Sequence, residues 1–331
     1  MNIGISYDLK EALTSDKEQP EDAFEEYDSL ETVEAIAKAI QDKGHATVKL
    51  GGGREFLNHI LKEKVDFVFN ISEGRGNFRG REAQVPSVLE MLNIPYSGSD
   101  PQCLAVCLDK KLTKKIVTLE GIRTPMWQII DGIRRDADWK EIPFPAFIKP
   151  VWEGSSKGIR LNSLVYNPGQ MQEIVSDLFD KYHQPVLIEE FIRGDEVTVG
   201  IVGNKKPEIV GIMRVVPRKN DTDFVYSLEI KRDYEKLVDY ECPAKLDWKI
   251  IKAITESSLK TFEILECRDF ARLDYRISPD GTPYFLEINP LAGLNPRSSD
   301  LVIMANLAGI RYNDLIGSIL EAALGRYPQC I

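Results

Sequence analysis

A chain of 331 residues is long enough for two or three domains of ordinary size. At 43% hydrophobic and 28% charged it has the composition of a soluble globular protein, and a formal net charge of −10 argues against a general nucleic-acid or anionic-membrane partner. No apolar run reaches membrane-spanning length, no basic segment leads into an apolar one near Met1, and the five cysteines and three histidines fall into no metal, disulfide or triad spacing, so a cytoplasmic protein without zinc or Ser-His-Asp chemistry is expected.

Residues 2–7 (NIGISY) read as a short apolar strand. Residues 8–28 are acidic, with Glu11, Asp16, Glu18, Glu21, Asp22, Glu25 and Glu26, and read equally as a substrate-facing segment or a solvated loop. Leu30, Val33, Ile36, Ala37 and Ile40 recur at helical spacing up to Gly44; a strand at 46–50, a helix at 55–61 and a strand at 65–71 follow. This alternation predicts a parallel sheet. The glycine-rich run at 72–81 (SEGRGNFRGR) then stands at the carboxyl end of a strand, where open α/β sheets bind ligands, although a plain loop reads as well. Residues 82–92 return to helix, and 94–99 (IPYSGS) close the first unit.

Residues 109–119 (DKKLTKKIVTL) predict a basic helix whose Lys110, Lys111, Lys114 and Lys115 read first as a solvated face. A strand at 144–150 ends in Lys149, and the small-residue loop at 153–158 (EGSSKG) precedes a short strand at 159–161. Small residues let backbone amides approach phosphates, and Ser155 and Ser156 can donate, but the loop is no Walker A sequence. Residues 186–192 (VLIEEFI) form an apolar strand interrupted by Glu189 and Glu190, against which a nucleotide base could lie. Strands at 196–202 and 207–217, a polar loop at 218–236 containing Lys231 and Arg232, and a helix at 246–264 come next.

The densest chemistry lies at 270–289 (FARLDYRISPDGTPYFLEIN). Alternation up to Ile277, the turn residues from Ser278 to Gly281 and a second strand predict a hairpin. Arg272, Asp274 and Arg276 share one face of the first strand, and Phe285, Glu287 and Asn289 one face of the second. If the two faces align, two carboxylates and a carboxamide converge, a donor set for Mg²⁺ shared with nucleotide phosphates, and Arg272 points at the same place. Either carboxylate alone would read as solvated surface, but Glu287 sits in the apolar run YFLEIN, where an unpaired charge is costly. A loop at 290–300 with Gly293, Arg297, Ser298 and Ser299, and helices at 301–308 and 313–324, follow.

In order, FIKP, EGSSKG, VLIEEFI with RGDEVTVG, RLDYR and FLEINP resemble the ATP-grasp superfamily and, within it, the D-alanine–D-alanine ligase family. LNIPYSGSDP followed by LDKKLTKKI is similar to that family's link into its central domain, and the similarity spans residues 65 to 325. The resemblance implies an α/β ATP-grasp fold of three domains: an N-terminal parallel α/β domain (1–103), a small central α+β domain (104–185) and a C-terminal α+β domain with an antiparallel sheet and the metal site (186–331). It implies ATP and two Mg²⁺ ions, with Mn²⁺ as a substitute. Lys110 and Lys149 would contact the nucleotide phosphates, and Glu189, Glu190, Phe191, Ile192 and Glu196 the adenosine. Ser155 and Ser156 would lie in the loop over the reacting groups, and Lys231 on a lid. Asp274, Glu287 and Asn289 would be the metal ligands, and Arg272 would stand beside the acyl intermediate. A homodimer acting on a small-molecule carboxylate and amine is implied too.

The implied reaction moves the γ-phosphoryl group of ATP to a substrate carboxylate, and an amine then displaces phosphate from the acyl phosphate. Water would hydrolyse that intermediate, which makes 218–236 the candidate lid. The substrate half departs from the family pattern. Residues 8–28 hold no serine–glutamate pair, Glu73 stands where a histidine is expected, Arg232 replaces the lid tyrosine, and the loop after Asn289 is longer, which leaves open whether Ser298, Ser299 or Asp300 meets the second substrate. Glu73 is expected to hold an ammonium group, and Arg232 and Arg297 a carboxylate, on substrates other than two D-alanines. Two other readings stay open: an amino-acid ligase acting on a carrier-protein thiol docked at residues 110–115, or on a specialised metabolite, and a nucleotide-binding protein without catalysis, against which Arg272 argues.

Overall fold

The computed structural model describes residues 1–12, 19–132, 142–219 and 222–330; Asp16 and Glu18 of the acidic segment and residues 220–221 of the expected lid lie outside them. Strands β1 (Asn2–Tyr7), β2 (Ala46–Gly51) and β3 (Phe67–Ile71) form the expected parallel sheet, ordered β2-β1-β3. Helix α1 (Leu30–Asp42) starts at Ser29, whose hydroxyl accepts from the Thr32 amide, and buries Val33, Ile36, Ala37 and Ile40 against Ile3, Ile5 and Phe69. Helices α2 (Gly53–Ile60) and α3 (Gln84–Met91) pack Phe56, Ile60, Val85 and Leu89 on Leu50 and Val68.

Helices α4 (Pro101–Leu108) and α5 (Lys110–Leu119) follow almost end to end, each with its own aspartate cap: Asp100 accepts from the Cys103 amide and Asp109 from the Leu112 amide. The second cap restarts the helix at Lys110. Cys103 and Cys107, far in sequence from Cys267, pack with it as free buried thiols.

Strands β4 (Trp127–Ile130), β5 (Ala146–Pro150), β6 (Leu164–Val165) and, beyond α6 (Pro168–Tyr182), β7 (Val186–Glu190) form an antiparallel sheet ordered β4-β7-β5-β6. Helix α6 covers it with Met171, Val175 and Leu178. The strand expected at 159–161 is corrected: residues Leu161–Ser163 make a 3-10 turn, held by the Ser163 hydroxyl accepting from the Arg160 amide, and the strand comes after it. The boundary expected at 185/186 falls in front of β7, yet β7 is hydrogen-bonded on both sides within this sheet, so the change of sheet comes after Glu190.

The third sheet is antiparallel and ordered β10-β9-β8-β11-β12, from β8 (Asp195–Val202), β9 (Glu208–Pro217), β10 (Val238–Glu241), β11 (Phe270–Ile277) and β12 (Pro283–Asn289). The stretch expected as a polar loop carries α7 (Leu228–Arg232) and α8 (Tyr234–Leu237). Helix α9 (Trp248–Ile264) packs Ile254 and Phe262 under Val197, Val199 and Leu273. After α10 (Asp300–Leu307), α11 (Tyr312–Leu324) buries Leu315, Ile319 and Leu320 against α1 and the first sheet. No helix among the described residues is long and apolar enough to cross a membrane.

The β11–β12 register positions the site. Arg272 pairs with Asn289 and Asp274 with Glu287, but Tyr275 pairs with Phe285, so Leu286 is the extra residue of a β-bulge. The shared face expected for Phe285, Glu287 and Asn289 is thereby corrected. The bulge turns Phe285 into the core, edge-on to Tyr275 with ring centroids 5.8 Å apart, and turns Leu286 toward the cleft described below. Simple alternation cannot register one inserted residue. Phe285→Ala is expected to cost about 3–5 kcal/mol in chemical unfolding, and Leu286→Ala much less. Equal losses would contradict this placement.

Candidate active site

A cleft opens between the second and third sheets. Its apolar walls are Phe147, Ile159, Phe191, Ile192, Val225 and Leu286. Arg276 fixes this end: its guanidinium stacks 4.4 Å from the Phe191 ring centroid, pairs with Glu196 at 3.2 Å, and donates to the carbonyls of Ile192, Gly194 and Phe224. Sequence alternation put Arg276 on the correct face without marking it as part of the site.

Deeper in the cleft, Glu189 forms ion pairs with two lysines, Lys114 at 2.5 Å and Lys149 at 2.9 Å, with all three side chains buried. Burial by itself would raise the Glu189 carboxyl, but the two lysines outweigh it and hold it below its ordinary value. Burial pulls Lys114 down, whereas Glu189 and Glu287 together outweigh burial and raise Lys149. The solvated face expected on α5 is therefore corrected for two of its lysines. Lys110 and Lys114 are one turn apart and point inward, while Lys115 is exposed. The spacing from Lys110 to Lys114 was the available signal for Lys114.

The metal-type donors meet beside this group. Asp274 accepts from Thr198 Oγ1 at 2.9 Å and Arg272 Nη2 at 2.9 Å, and Asn289 Nδ2 lies 3.4 Å away. Across the strands, Glu287 Oε2 is 3.4 Å from Lys110 Nζ and 3.8 Å from Lys149 Nζ. Burial would raise Glu287, but Lys110, Lys149, Arg272 and Lys231 outweigh it and hold the carboxyl far below the usual range. Two carboxylates and an amide oxygen suit a hard divalent cation, and the surrounding cations suit a polyphosphate. Asp300, left open by the sequence, is buried and ties the far side together: it lies 3.5 Å from Arg272 and 3.9 Å from Lys231, and accepts from the Tyr226 hydroxyl at 3.2 Å.

A second cleft adjoins the first at Glu287 and Arg272 and is lined by Lys110, Ser155, Asn289, Gly293, Glu73 and Glu82. Ser155 and Ser156 both have left-handed backbone, with φ of 50° and 60°, a strained conformation for residues other than glycine. Their loop is held by the acidic segment. Asp22 accepts from the Gly158 amide at 2.9 Å and from the Tyr182 hydroxyl at 2.6 Å. Glu26 pairs with Arg81 at 2.7 Å and Lys157 at 3.1 Å, and Glu153 with the same two cations at 3.2 and 2.6 Å. Of the two readings of residues 8–28, the solvated loop is thus excluded for Asp22 and Glu26. Nothing in the sequence signalled this network, whose hydrogen-bonded members are up to 160 positions apart.

Four expected substrate contacts, Arg232, Arg297, Ser298 and Ser299, line neither cleft. Arg232 pairs with Glu21 at 2.5 Å and Glu25 at 3.1 Å. Arg297 pairs with Glu31 and is 78% exposed. Ser298 is exposed and donates to the Asn295 side-chain carbonyl. Protein carboxylates already occupy both arginines, which corrects the expectation that they hold a substrate carboxylate. Ser299 is half-buried next to Gly293 and accepts from the Asn295 amide.

The family model described as D-ala D-ala ligase C-terminus matches residues 120–321. A D-alanine–D-alanine ligase of Aquifex aeolicus (strain VF5) is 37% identical over 294 residues, covering 88% of this chain and 94% of that protein. The uncharacterized protein y4sG of Sinorhizobium fredii (strain NBRC 101917 / NGR234) is 32% identical over 303 residues, covering 89% and 88%. Among solved structures, the D-alanine–D-alanine ligase of Bacillus anthracis complexed with ATP has a TM-score of 0.74 at 25% identity, covering 98% of each chain.

Burial pushes the Glu82 carboxyl up to about 8, with Arg81 opposing and Glu26 reinforcing the shift, from an ordinary value of 4.5. Folding therefore takes up a proton between those two pH values. Stability from this group is full below the ordinary value and lost as pH rises toward the folded one. The ligand-free protein is expected to lose thermal stability between about pH 5 and 8, and Glu82→Gln to flatten that slope in calorimetry. An unchanged slope would mean that Glu82 does not carry the effect.

Proposed function

The chain belongs to the D-alanine–D-alanine ligase family, and from that premise we propose which of its residues carry the chemistry. It is an ATP-dependent enzyme that joins a small-molecule carboxylate to an amine, and its fold is the three-domain α/β ATP-grasp architecture. The observation that carries the residue roles is the register of Asp274 opposite Glu287 and Arg272 opposite Asn289, within reach of Lys110, Lys149 and Lys231. Phe191, Ile192 and Leu286 would cover the purine, Glu189 and Glu190 its polar edge, and Glu196 the ribose. Asp274, Glu287 and Asn289 would hold two Mg²⁺ ions, replaceable by Mn²⁺, which would supply charge neutralisation between the phosphates and these carboxylates.

Lys110, Lys149 and Lys231 would hold the ATP phosphates while the substrate carboxylate attacks the γ-phosphorus. The bond to ADP breaks and the acyl phosphate forms. The amine then adds to the acyl carbon, Arg272 and the amides around Ser155 and Ser156 meet the developing oxyanion, and phosphate leaves with the bonding electrons. The segment containing α7, with Lys231 over the Tyr226 ring at 5.0 Å, would keep water out.

The alanine named for the relatives is not carried over unchanged, since Glu73 and Glu82 bring two carboxyl groups, both raised by burial and neither in an ion pair among the described residues, to the second cleft. A carrier-protein dock on α5 is disfavoured because Lys110 and Lys114 are buried. By sheets, we take the units as 1–103, 104–190 and 191–331. A homodimer and a cytoplasmic location, where ATP is supplied, belong to the same reading. The test is ADP release with MgATP and amino acids, singly and in pairs, D and L. Glu287→Gln is expected to lower it by about two orders of magnitude or more with the fold intact by circular dichroism, and a chelator to abolish it. Near-normal turnover of the variant would remove Glu287 from the metal site.

A further inference from the structure

The cleft that meets the reaction centre at Arg272 and Glu287 is lined on its other side by Glu73 and Glu82. Among the described residues neither carboxylate has an ion-pair or hydrogen-bond partner, and Glu82 is only 8% exposed. Most acids around them are matched, Glu26 and Glu153 by Arg81 and Lys157, Glu287 by Lys110 and Lys149, and Asp8 by Arg75 at 2.9 Å, while Asp28, which also acts on Glu73, is raised by burial. Burial first, and then the charge of each on the other, raises both carboxyls, so that ionisation in the empty cleft is disfavoured and an entering cation would favour the charged forms.

The backbone makes this arrangement and does not relieve it. Gly74 has φ +83°, and a Cβ there would lie 2.1 Å from the Arg81 carbonyl oxygen, so the loop doubles back and sets residue 73 near residue 82. Arg81, the cation next to Glu82, faces away and donates to Glu26, Glu153 and the Trp152 carbonyl. The loop thus holds a buried cation and spends it on the other side.

We propose that Glu73 and Glu82 receive a cationic side chain of a substrate, so that the amino acid joined by this ligase is basic, carrying an ammonium or guanidinium group beyond its α-carbon. This rests on the ligase reading above. Zwitterionic alanine would bring a single ammonium, and its carboxylate must stay at the γ-phosphate, which leaves one of the two acids unmatched. A basic amino acid brings the second positive charge, and a guanidinium fork spans two carboxylates well.

The experiment compares wild type and Glu82→Gln, with MgATP and lysine, ornithine, arginine or alanine in both enantiomers, reading ADP release and product mass. The expected result is a kcat/KM at least about tenfold higher for a basic amino acid than for alanine, with Glu82→Gln lowering that ratio about tenfold through KM while MgATP affinity holds, as for loss of one charge-assisted hydrogen bond. Alanine used as well as the basic amino acids, or a ratio unmoved by the variant, would overturn the proposal. If no amino acid elicits ADP release, the ligase reading fails separately, and equilibrium dialysis of labelled lysine and arginine with MgADP decides this one. Saturable binding lost in Glu82→Gln sustains the cation site, and no saturable binding overturns it.

Discussion

Asp274 and Glu287 face each other across β11 and β12, a pairing of like charges that a sheet tolerates only if something neutralises it. The neutralising groups come from everywhere else. Lys110 arrives at the start of α5, Lys149 at the end of β5, Lys231 from α7, and Arg272 from the same strand two residues away. The hairpin therefore acts as an electrostatic anchor onto which the second sheet and the α4–α5 corner are drawn. Asp109 matters for the same reason: by capping a new helix it places Lys110 and Lys114 at the one turn that can reach inward.

Lys149 joins the two ends of the nucleotide cleft, 2.9 Å from Glu189 and 3.8 Å from Glu287. It is shared between the apolar, Phe191-lined end and the metal-type donors. The raised lysine and the depressed carboxylates are mutual, since each charge is bearable in the interior because the others are there. Arg276 plays the corresponding part at the mouth, where one guanidinium fixes three carbonyls on two segments and one face of Phe191.

What the sequence disclosed was what is local. Asp274, Glu287 and Asn289 were legible because they all stand on the far side of the bulge from the turn, where simple alternation holds and Asp274 faces Glu287 and Arg272 faces Asn289. Phe285 was misplaced because one bulged residue inverts everything beyond it. The parallel sheet was legible from alternation, whereas β7 was divided from its sheet because strand pairing is a long-range property. Lys114 was taken for surface because a helix shows which residues share a face but not which way that face turns. Arg232 and Arg297 were misassigned for the same reason: their partners Glu21, Glu25 and Glu31 lie more than two hundred positions away, and no spacing rule reaches that far.

The contrast between the two halves of the site has a mechanical origin. The half proposed for the nucleotide is carried by β5, β7, β8 and β11, paired on both sides, and by the edge strand β12, held by its pairing with β11. The substrate half is carried by the loops around residues 73–82, 153–158 and 290–300. Loops of that kind can change their chemistry without disturbing strand register, provided that something else holds their shape. Here that support is the Glu26–Arg81–Glu153–Lys157 cluster, which ties segment 19–28 to two of the three loops through buried ion pairs. A cluster of this sort is costly to desolvate and is held together only when all four members are present. The charge at position 81 is thus committed to shape, and the carboxyl groups of Glu73 and Glu82 beside it have no ion pair among the described residues.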